Sequence, residues 1–446
     1  MKRMFDEVNC KRMLLGISAL FVVAAMSAQQ IDITLQKAID IALAENPTIR
    51  VADKDIELKR IADTEAWQAL LPEVSATASI QHTLLAAEMN LGGNKFKMGK
   101  DDTNTAALAG TLSVPVFAPA VYQNMKLTKT DIELAREKAR SSRLDLINQV
   151  TKAYFQMLLA QDSYKVMQQS YDISKENYED ISTKYDVGRV SEYDKITAEV
   201  QMRSMNSSLV SAQTGLTLAE LQLKVLMGIT TDVTLVLADK LENYENDLKL
   251  AEIRAGESEL ENNSTMRQLE MNRTMLERTL KIQRTSFMPT VAFTLTGQYQ
   301  SLYNNNWNIW NYDWSPSASF SIGVSIPIFR ASNWTKLKSM KLQLSELEDS
   351  RVNTQRQLAM AAQNYVHNMA ASIAQVSSNK EAVNKADKAL SIASTRYEVG
   401  RGTILELNQS EVALTQAKLT YNQSIYDYLR NKADLDYTLG RETYLR

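Results

Sequence analysis

Tyr185-Asp186-Val187-Gly188-Arg189 recurs as Tyr397-Glu398-Val399-Gly400-Arg401, 212 residues further along the chain. The copy extends outward from these five residues in both directions. Upstream, Val114-Pro115-Val116-Phe117 matches Ile326-Pro327-Ile328-Phe329. Earlier still, Glu45-Asn46 and Leu71-Pro72 match Glu261-Asn262 and Met288-Pro289 at a slightly longer offset. Downstream, Met227-Gly228 matches Leu439-Gly440. Solenoid repeats run to about 20–50 residues, so a unit of about four times that length is a duplicated half-molecule.

Each half contains a very long helix. From about Ala120 to Tyr185, and again from about Ala331 to Tyr397, there is neither glycine nor proline. In the first stretch Val150, Met157, Tyr164, Tyr171, Tyr178 and Tyr185 fall seven apart, with Tyr154 and Ile181 on the intervening seam positions. In the second, Tyr365, Met369, Val376, Val383, Ala386, Leu390, Ala393 and Tyr397 step by seven or by three and four. Sustained heptads predict helices packed side by side at shallow angles. At 1.5 Å per residue each would be about 100 Å long. Val-Gly-Arg breaks each helix with a glycine free to take positive φ. Further helices follow, about Ser191–Met227 and Thr403–Leu439, so each half predicts a helical hairpin tipped by Gly188 or Gly400. A single glycine turn is ordinary, but two matched tips on such long hairpins point to a working end.

The segments before the long helices have another character. Val74–Ala87 and Thr103–Met125 carry no formal charge, and between Arg284 and Arg330 the only charge is Asp313. Val74, Ala76, Ala78 and Ile80, then Val291, Phe293 and Leu295, then Phe320, Ile322, Val324 and Ile326, alternate with polar neighbours. Period-two alternation over about ten residues is the signature of a membrane β-strand. Pro115 and Pro327 are expected to end the return strands, where a missing N–H does least harm. Ala86–Asp102 reads as a polar, glycine-bearing loop. Leu302–Trp314 is crowded with Tyr303, Trp307, Trp310, Tyr312 and Trp314, either an aromatic girdle at the lipid boundary or a ligand platform. Four short strands cannot close a barrel, which needs about eight to fill its interior, so either the chain oligomerises or the strands belong to a soluble sheet. Oligomerisation fits better, because exposed apolar strands need a closed ring in lipid.

Composition narrows the function. The net charge of −2 gives no reason to expect nucleic acid. Lys11-Arg12, the apolar run Leu14–Met26 and the small residues Ser27-Ala28 read as a secretory signal peptide over residues 1–28. Cys10, the one cysteine, precedes the apolar run, so a processed chain would have no thiol chemistry. No later segment approaches 18 consecutive apolar residues, so any crossing of a membrane is made by strands.

Together these features resemble the TolC family of outer-membrane efflux factors over essentially residues 30–446. The resemblance implies a mainly α chain with a small β part. Its halves, 29–228 and 261–446, would each hold a strand pair (about 72–116 and 289–329) and a helical hairpin (about 118–227 and 331–439). It implies a homotrimer in which an α-barrel in the periplasm continues a 12-stranded β-barrel in outer-membrane lipid. A connecting segment, 229–260, would join an equatorial belt, with a short strand at Val233–Leu237 and a helix at Lys240–Glu259. The implied partners are a periplasmic adaptor protein, meeting the tips at Val187, Gly188, Arg189, Val399, Gly400 and Arg401, and an inner-membrane transporter.

For the periplasmic gate, the resemblance places Tyr397 opposite Asp194 as a tyrosine-to-carboxylate latch; equally, Tyr397 continues the heptad seam and reads as a packed side chain. The latch's partner arginine would fall at Gly402, whereas this chain has Arg401 one place earlier. A family ring of lumenal carboxylates falls at Glu406, and its second carboxylate falls at Gln409. Three Glu406 side chains around a threefold axis would form a local cation site. Equally, Glu406 reads as a solvated charge in a first helical turn, where it is favoured anyway.

The sequence holds no Gly-x-x-x-x-Gly-Lys-Ser/Thr loop, so energy would come from a separate pump. An adaptor-like coiled-coil protein without a pore is the alternative, but adaptors normally carry one hairpin among glycine-rich β modules. Catalysis has little support. His82 and His367 stand far apart, and no nucleophile elbow, His-Glu-x-x-His or glycine-rich cofactor loop is present. No cofactor is expected.

Overall fold

The computed structural model describes residues 31–92, 94–229, 233–248 and 257–441. The expected signal peptide, 1–28, lies outside them. In chain order the elements are β1 (Ile31–Ile33), α1 (Leu35–Glu45), α2 (Pro47–Gln68), β2 (Glu73–Thr83), β3 (Ala87–Leu91), β4 (Asn94–Met98) and β5 (Thr103–Phe117). There follow α3 (Pro119–Asp186), α4 (Glu192–Met227), β6 (Leu235–Leu237), α5 (Ser264–Thr285), β7 (Thr290–Asn304), β8 (Ser315–Ser325), α6 (Ala331–Glu398) and α7 (Ile404–Thr438). Among the described residues no helix is long and apolar enough to cross a membrane. The chain divides into two units, one holding residues up to 51, 140–264 and 355 onward, the other 52–139 and 265–354.

The second unit is built on one antiparallel sheet of order β2-β5-β7-β8, so the two expected strand pairs join edge to edge through β5 and β7. Its register sorts side chains by chemistry. Val74, Leu112, Leu295 and Phe320 form one cross-strand row, and Ala76, Gly110, Gly297 and Ala318 the next. One residue over, Ser75, Thr111, Thr296 and Ser319 form a row on the opposite face. Because side chains alternate with period two, one face is apolar and the other carries hydroxyls and amides. Phe320, Ile322 and Val324 stand exposed on the apolar face.

Two expectations fail locally here, and the aromatic loop gains detail. Ala86–Asp102 is no irregular loop: β3 and β4 pair as a hairpin with Gly92 at φ 59°. Pro115 does not end its strand, because the ladder slips between Pro115 and Phe117 and continues; a bulge tolerates the missing N–H. The aromatic loop divides: Trp307 stacks on His82 with centroids 5.3 Å apart, Tyr312 is buried, and Trp310 is exposed.

The first unit packs helices. Val150, Tyr154, Met157 and Ile181 of the first seam and Met369, Val376 and Ala393 of the second are buried. Tyr154, Phe155, Leu158, Leu223, Met227, Ile425 and Leu429 share one core with Ile33 and Ile39. β1 pairs parallel with β6. The connecting segment is held by buried polar groups: Tyr154 donates its hydroxyl to Asp239 Oδ2 at 2.6 Å, and Tyr421 donates to Glu245 at 2.9 Å. The expected helix Lys240–Glu259 is instead two 3-10 turns, Leu241–Asp247 and Glu257–Asn262, with 249–256 outside the described residues.

The repeat also aligns differently at its start. Asn46 donates its amide to the Leu226 carbonyl at 2.8 Å and accepts the Thr48 N–H, capping α2. The residue that donates to the corresponding Thr438 carbonyl, at 2.7 Å, is Asn263, which directly precedes α5. Asn46 therefore corresponds to Asn263, not to Asn262 as the sequence match has it. Hydrogen bonding selects the pairing: each asparagine satisfies an orphan carbonyl in the last turn of a hairpin while standing directly before a helix upstream of that hairpin.

Candidate functional site

Both hairpin tips close with the same backbone device. At the first, Gly188 sits at φ 72°, its N–H bonds the Tyr185 carbonyl, and the Arg189 N–H bonds the Lys184 carbonyl, both at 2.8 Å. At the second, Gly400 sits at φ 73°, and Gly400 and Arg401 N–H groups bond the Tyr397 and Arg396 carbonyls. These are Schellman closures, which need a residue in the left-handed region that glycine enters without strain. The returning helices are capped by Ser191 and Thr403.

The tips enclose a cleft of about 510 Å³ whose lining includes Arg189, Asp194, Tyr397 and Gly400. Asp194 and Tyr397 thus share one cleft, but no bond joins them. The Asp194 carboxylate accepts the Ser191 N–H at 3.2 Å and the Ser191 hydroxyl at 2.8 Å, completing a capping box on α4. The Tyr397 hydroxyl is buried with no hydrogen-bond partner among the described residues. Burial, then the charges of Asp194 and Asp180, push its pKa up. Its ring packs against the cluster of Ile181, Ala198, Ile404 and Leu407.

The displaced arginine has a steric reason. A Cβ at Gly402 would lie 3.1 Å from the Tyr397 nitrogen, and the Gly402 N–H bonds the Arg396 carbonyl at 2.9 Å. No side chain fits there without a shift. Arg189, Arg401, Val187 and Val399 are exposed.

Glu406 donates its main-chain N–H to the Thr403 hydroxyl, while its exposed carboxylate lies 3.6 Å from Arg396 Nη2. That arginine is absent from the sequence reading; it also donates to the Arg401 carbonyl. Gln409 is exposed and helps line a second cleft, of about 430 Å³, with Ile196 and Val200 of α4 and Leu405 and Val412 of α7.

Sequence reasoning also missed Glu411. It is 6% exposed, and it accepts from Ser174 at 3.3 Å and from the Asn177 amide. Burial pushes it up to about 7, against the pull of those two hydrogen bonds. Nothing in its spacing separates it from the solvated carboxylates around it.

Known proteins resemble this chain in sequence and in fold. The outer membrane protein TolC of Salmonella enteritidis is 22% identical over 407 residues, 90% of this chain and 80% of that protein. The cobalt-zinc-cadmium resistance protein CzcC of Cupriavidus metallidurans is 23% identical over 314 residues, 69% of this chain and 71% of that one. The solved structure of the CmeC outer membrane channel of Campylobacter jejuni superposes with a TM-score of 0.71 at 18% identity, covering 93% of this chain and 90% of that one. The profile of the family described as outer membrane efflux protein matches residues 38–229 and 255–441, one stretch in each duplicated half. With both halves and most of its length so matched, the chain belongs to the outer membrane efflux protein family.

Proposed function

We propose that this chain is the outer-membrane exit duct of a tripartite efflux or type I secretion assembly, passing substrates passively outward. Three copies form the working unit, each giving four strands to a closed barrel of twelve. The observation that carries this reading is the sheet. It has an apolar face suited to lipid, a hydroxyl- and amide-bearing face suited to a water-filled lumen, and outer edges on β2 and β8 left unpaired among the described residues. Such edges are satisfied in lipid only by closure into a ring. The helical hairpins occupy the periplasm, and their Gly188 and Gly400 tips meet the adaptor, with Arg189 and Arg401 as donors to its acidic or main-chain acceptors. The inner-membrane transporter supplies the energy.

In this reading the gate lies at the tips and is carried by Asp194, Tyr397, Arg401, Glu406 and Gln409. Tyr397 acts there by packing, and by a hydroxyl that finds a partner only when a neighbouring copy or the adaptor supplies one. Glu406 forms a ring of carboxylates whose charge Arg396 partly offsets.

Planar-bilayer recordings test the proposal with wild type and an Asp194→Ala, Tyr397→Ala double variant. Small conductance steps that grow several-fold in the variant support a duct gated at its tips. Large, equal steps in both move the gate elsewhere. No current from verified inserted protein sinks the duct and returns the poreless, adaptor-like role.

A further inference from the structure

The two hairpins meet along a polar seam. Ser170, Ser174 and Asn177 of α3 face Glu411 and Thr415 of α7, with Ser170 Oγ 2.6 Å from Thr415 Oγ1 and both Ser174 and Asn177 donating to the Glu411 carboxyl. No cation among the described residues lies within ion-pair distance of that carboxyl. A cavity of about 20 Å³ beside it is lined by Gln169 of α3 and Leu390 of α6, and by Lys418 of α7, which is its one titratable neighbour there.

The duplication supplies an internal control. The residue matching Glu411 in the first half is Glu199, and Arg203 matches Thr415. Glu199 is partly exposed and accepts from Arg203 Nη2 at 2.7 Å and Nε at 2.9 Å. One copy of this carboxylate therefore sits near solvent with its own cation. The other is buried, and a threonine stands where the cation would be.

We propose that the α3–α7 seam is a proton-controlled latch between the two hairpins, held by the uncharged Glu411 carboxyl and released when that carboxyl ionises. Protonated, Glu411 fits a seam of hydroxyls and an amide. Ionised, it is a buried charge with two neutral donors and no counter-ion, which strongly penalises the packed state. Glu411 stands about two helical turns from the Thr403 cap, so loosening at the seam reaches the Gly400 tip. The seam rests on the duct reading only for the consequence of that loosening, a freer gate.

The test measures distance, not current. Spin labels at Thr183 of α3 and Gln416 of α7, both exposed, are introduced into a Cys10→Ser background, and labelled protein is diluted into unlabelled. In wild type the label separation is expected to be narrowly distributed at pH 5.5, then to broaden and shift by several ångströms at pH 8.5, with a midpoint near 7. Glu411→Gln, nearly isosteric and never charged, is expected to stay narrow at both pH values. Thr415→Arg, which restores the first half's cation, is expected to stay narrow at pH 8.5. A wild type unchanged between the two pH values overturns the latch, as does a Glu411→Gln protein that follows the wild-type transition. Since no pore is required, failure here leaves the duct standing, and a silent bilayer leaves the latch standing.

Discussion

Changing Gly228 and Gly188 separately to alanine separates two reasons for a conserved geometry. Both glycines end a hairpin helix in the first half, at φ 69° and 72°, so the left-handed strain on alanine is the same, about 1–2 kcal/mol. Their surroundings differ. A Cβ at Gly188 meets nothing within 4 Å, whereas at Gly228 it would lie 2.9 Å from the Glu45 carbonyl oxygen and 3.0 Å from its carbon. Those neighbours are main-chain atoms pinned by the Asn46 bond to Leu226, so they cannot swing aside as a flexible side chain would. Overpacking of this kind adds about 1–3 kcal/mol. Gly188→Ala should therefore cost about 1 kcal/mol and Gly228→Ala at least about 2–3. For a chain of 446 residues a melting midpoint moves only about 1 °C per kcal/mol, so native-state hydrogen exchange at each helix end is the better assay. Amides of 224–229 should exchange about 30-fold faster or more in Gly228→Ala, and those of 184–189 about fivefold faster in Gly188→Ala, at tenfold per 1.4 kcal/mol. Equal effects at the two positions would refute the reasoning, leaving backbone strain as the whole cost.

Two further predictions probe other levels. Ile322→Lys puts a charge on the apolar face of β8 and should cost about 2–4 kcal/mol in lipid, whereas Ser321→Lys faces the other way; only the former should deplete protein from the outer-membrane fraction. Glu411 rises from an ordinary 4.5 to about 7 on folding, so the folded state binds the extra proton, and the stability this confers is complete below pH 4.5 and lost as pH climbs through 7. Glu411→Gln should match wild type in stability at pH 4.5 and exceed it by about 3 kcal/mol at pH 8.5, read as denaturant midpoints; equal midpoints at pH 8.5 would contradict this.

The long-range plan was legible because it is written in periodicities. The heptads place α3 as Pro119–Asp186 and α6 as Ala331–Glu398, within a residue or so of the stretches free of glycine and proline. Alternation gives the faces of β7 and β8. What escaped is set by tertiary detail. The β3–β4 hairpin sets Ala87, Met89 and Leu91 in one row with Phe96 and Met98, but strands of five residues each, interleaved with Glu88, Lys95 and Lys97, give too short an alternation to stand out from loop. Asn263 was passed over for Asn262 because sequence matching rewards the shared Glu-Asn pair, while the fold rewards whichever side chain reaches Thr438. At the tips, Asp194 entered only through the family resemblance, as the partner of Tyr397. Its bond to Ser191 follows from the Ser-x-x-Asp spacing of a capping box, while the lack of a bond to Tyr397 turns on distances that spacing cannot express. Glu411 was hidden for a different reason: a carboxylate on a helix is ordinarily solvated, and only the neighbouring hairpin makes this one an exception.

The two outer strands of the sheet also govern how the protein can be made. Each exposes a row of main-chain donors and acceptors, and in hydrocarbon every such group left unmet costs several kcal/mol. A single copy consequently has no resting place within the bilayer. In the proposed trimer, self-association and insertion are therefore coupled, because only neighbouring copies satisfy the edges of β2 and β8.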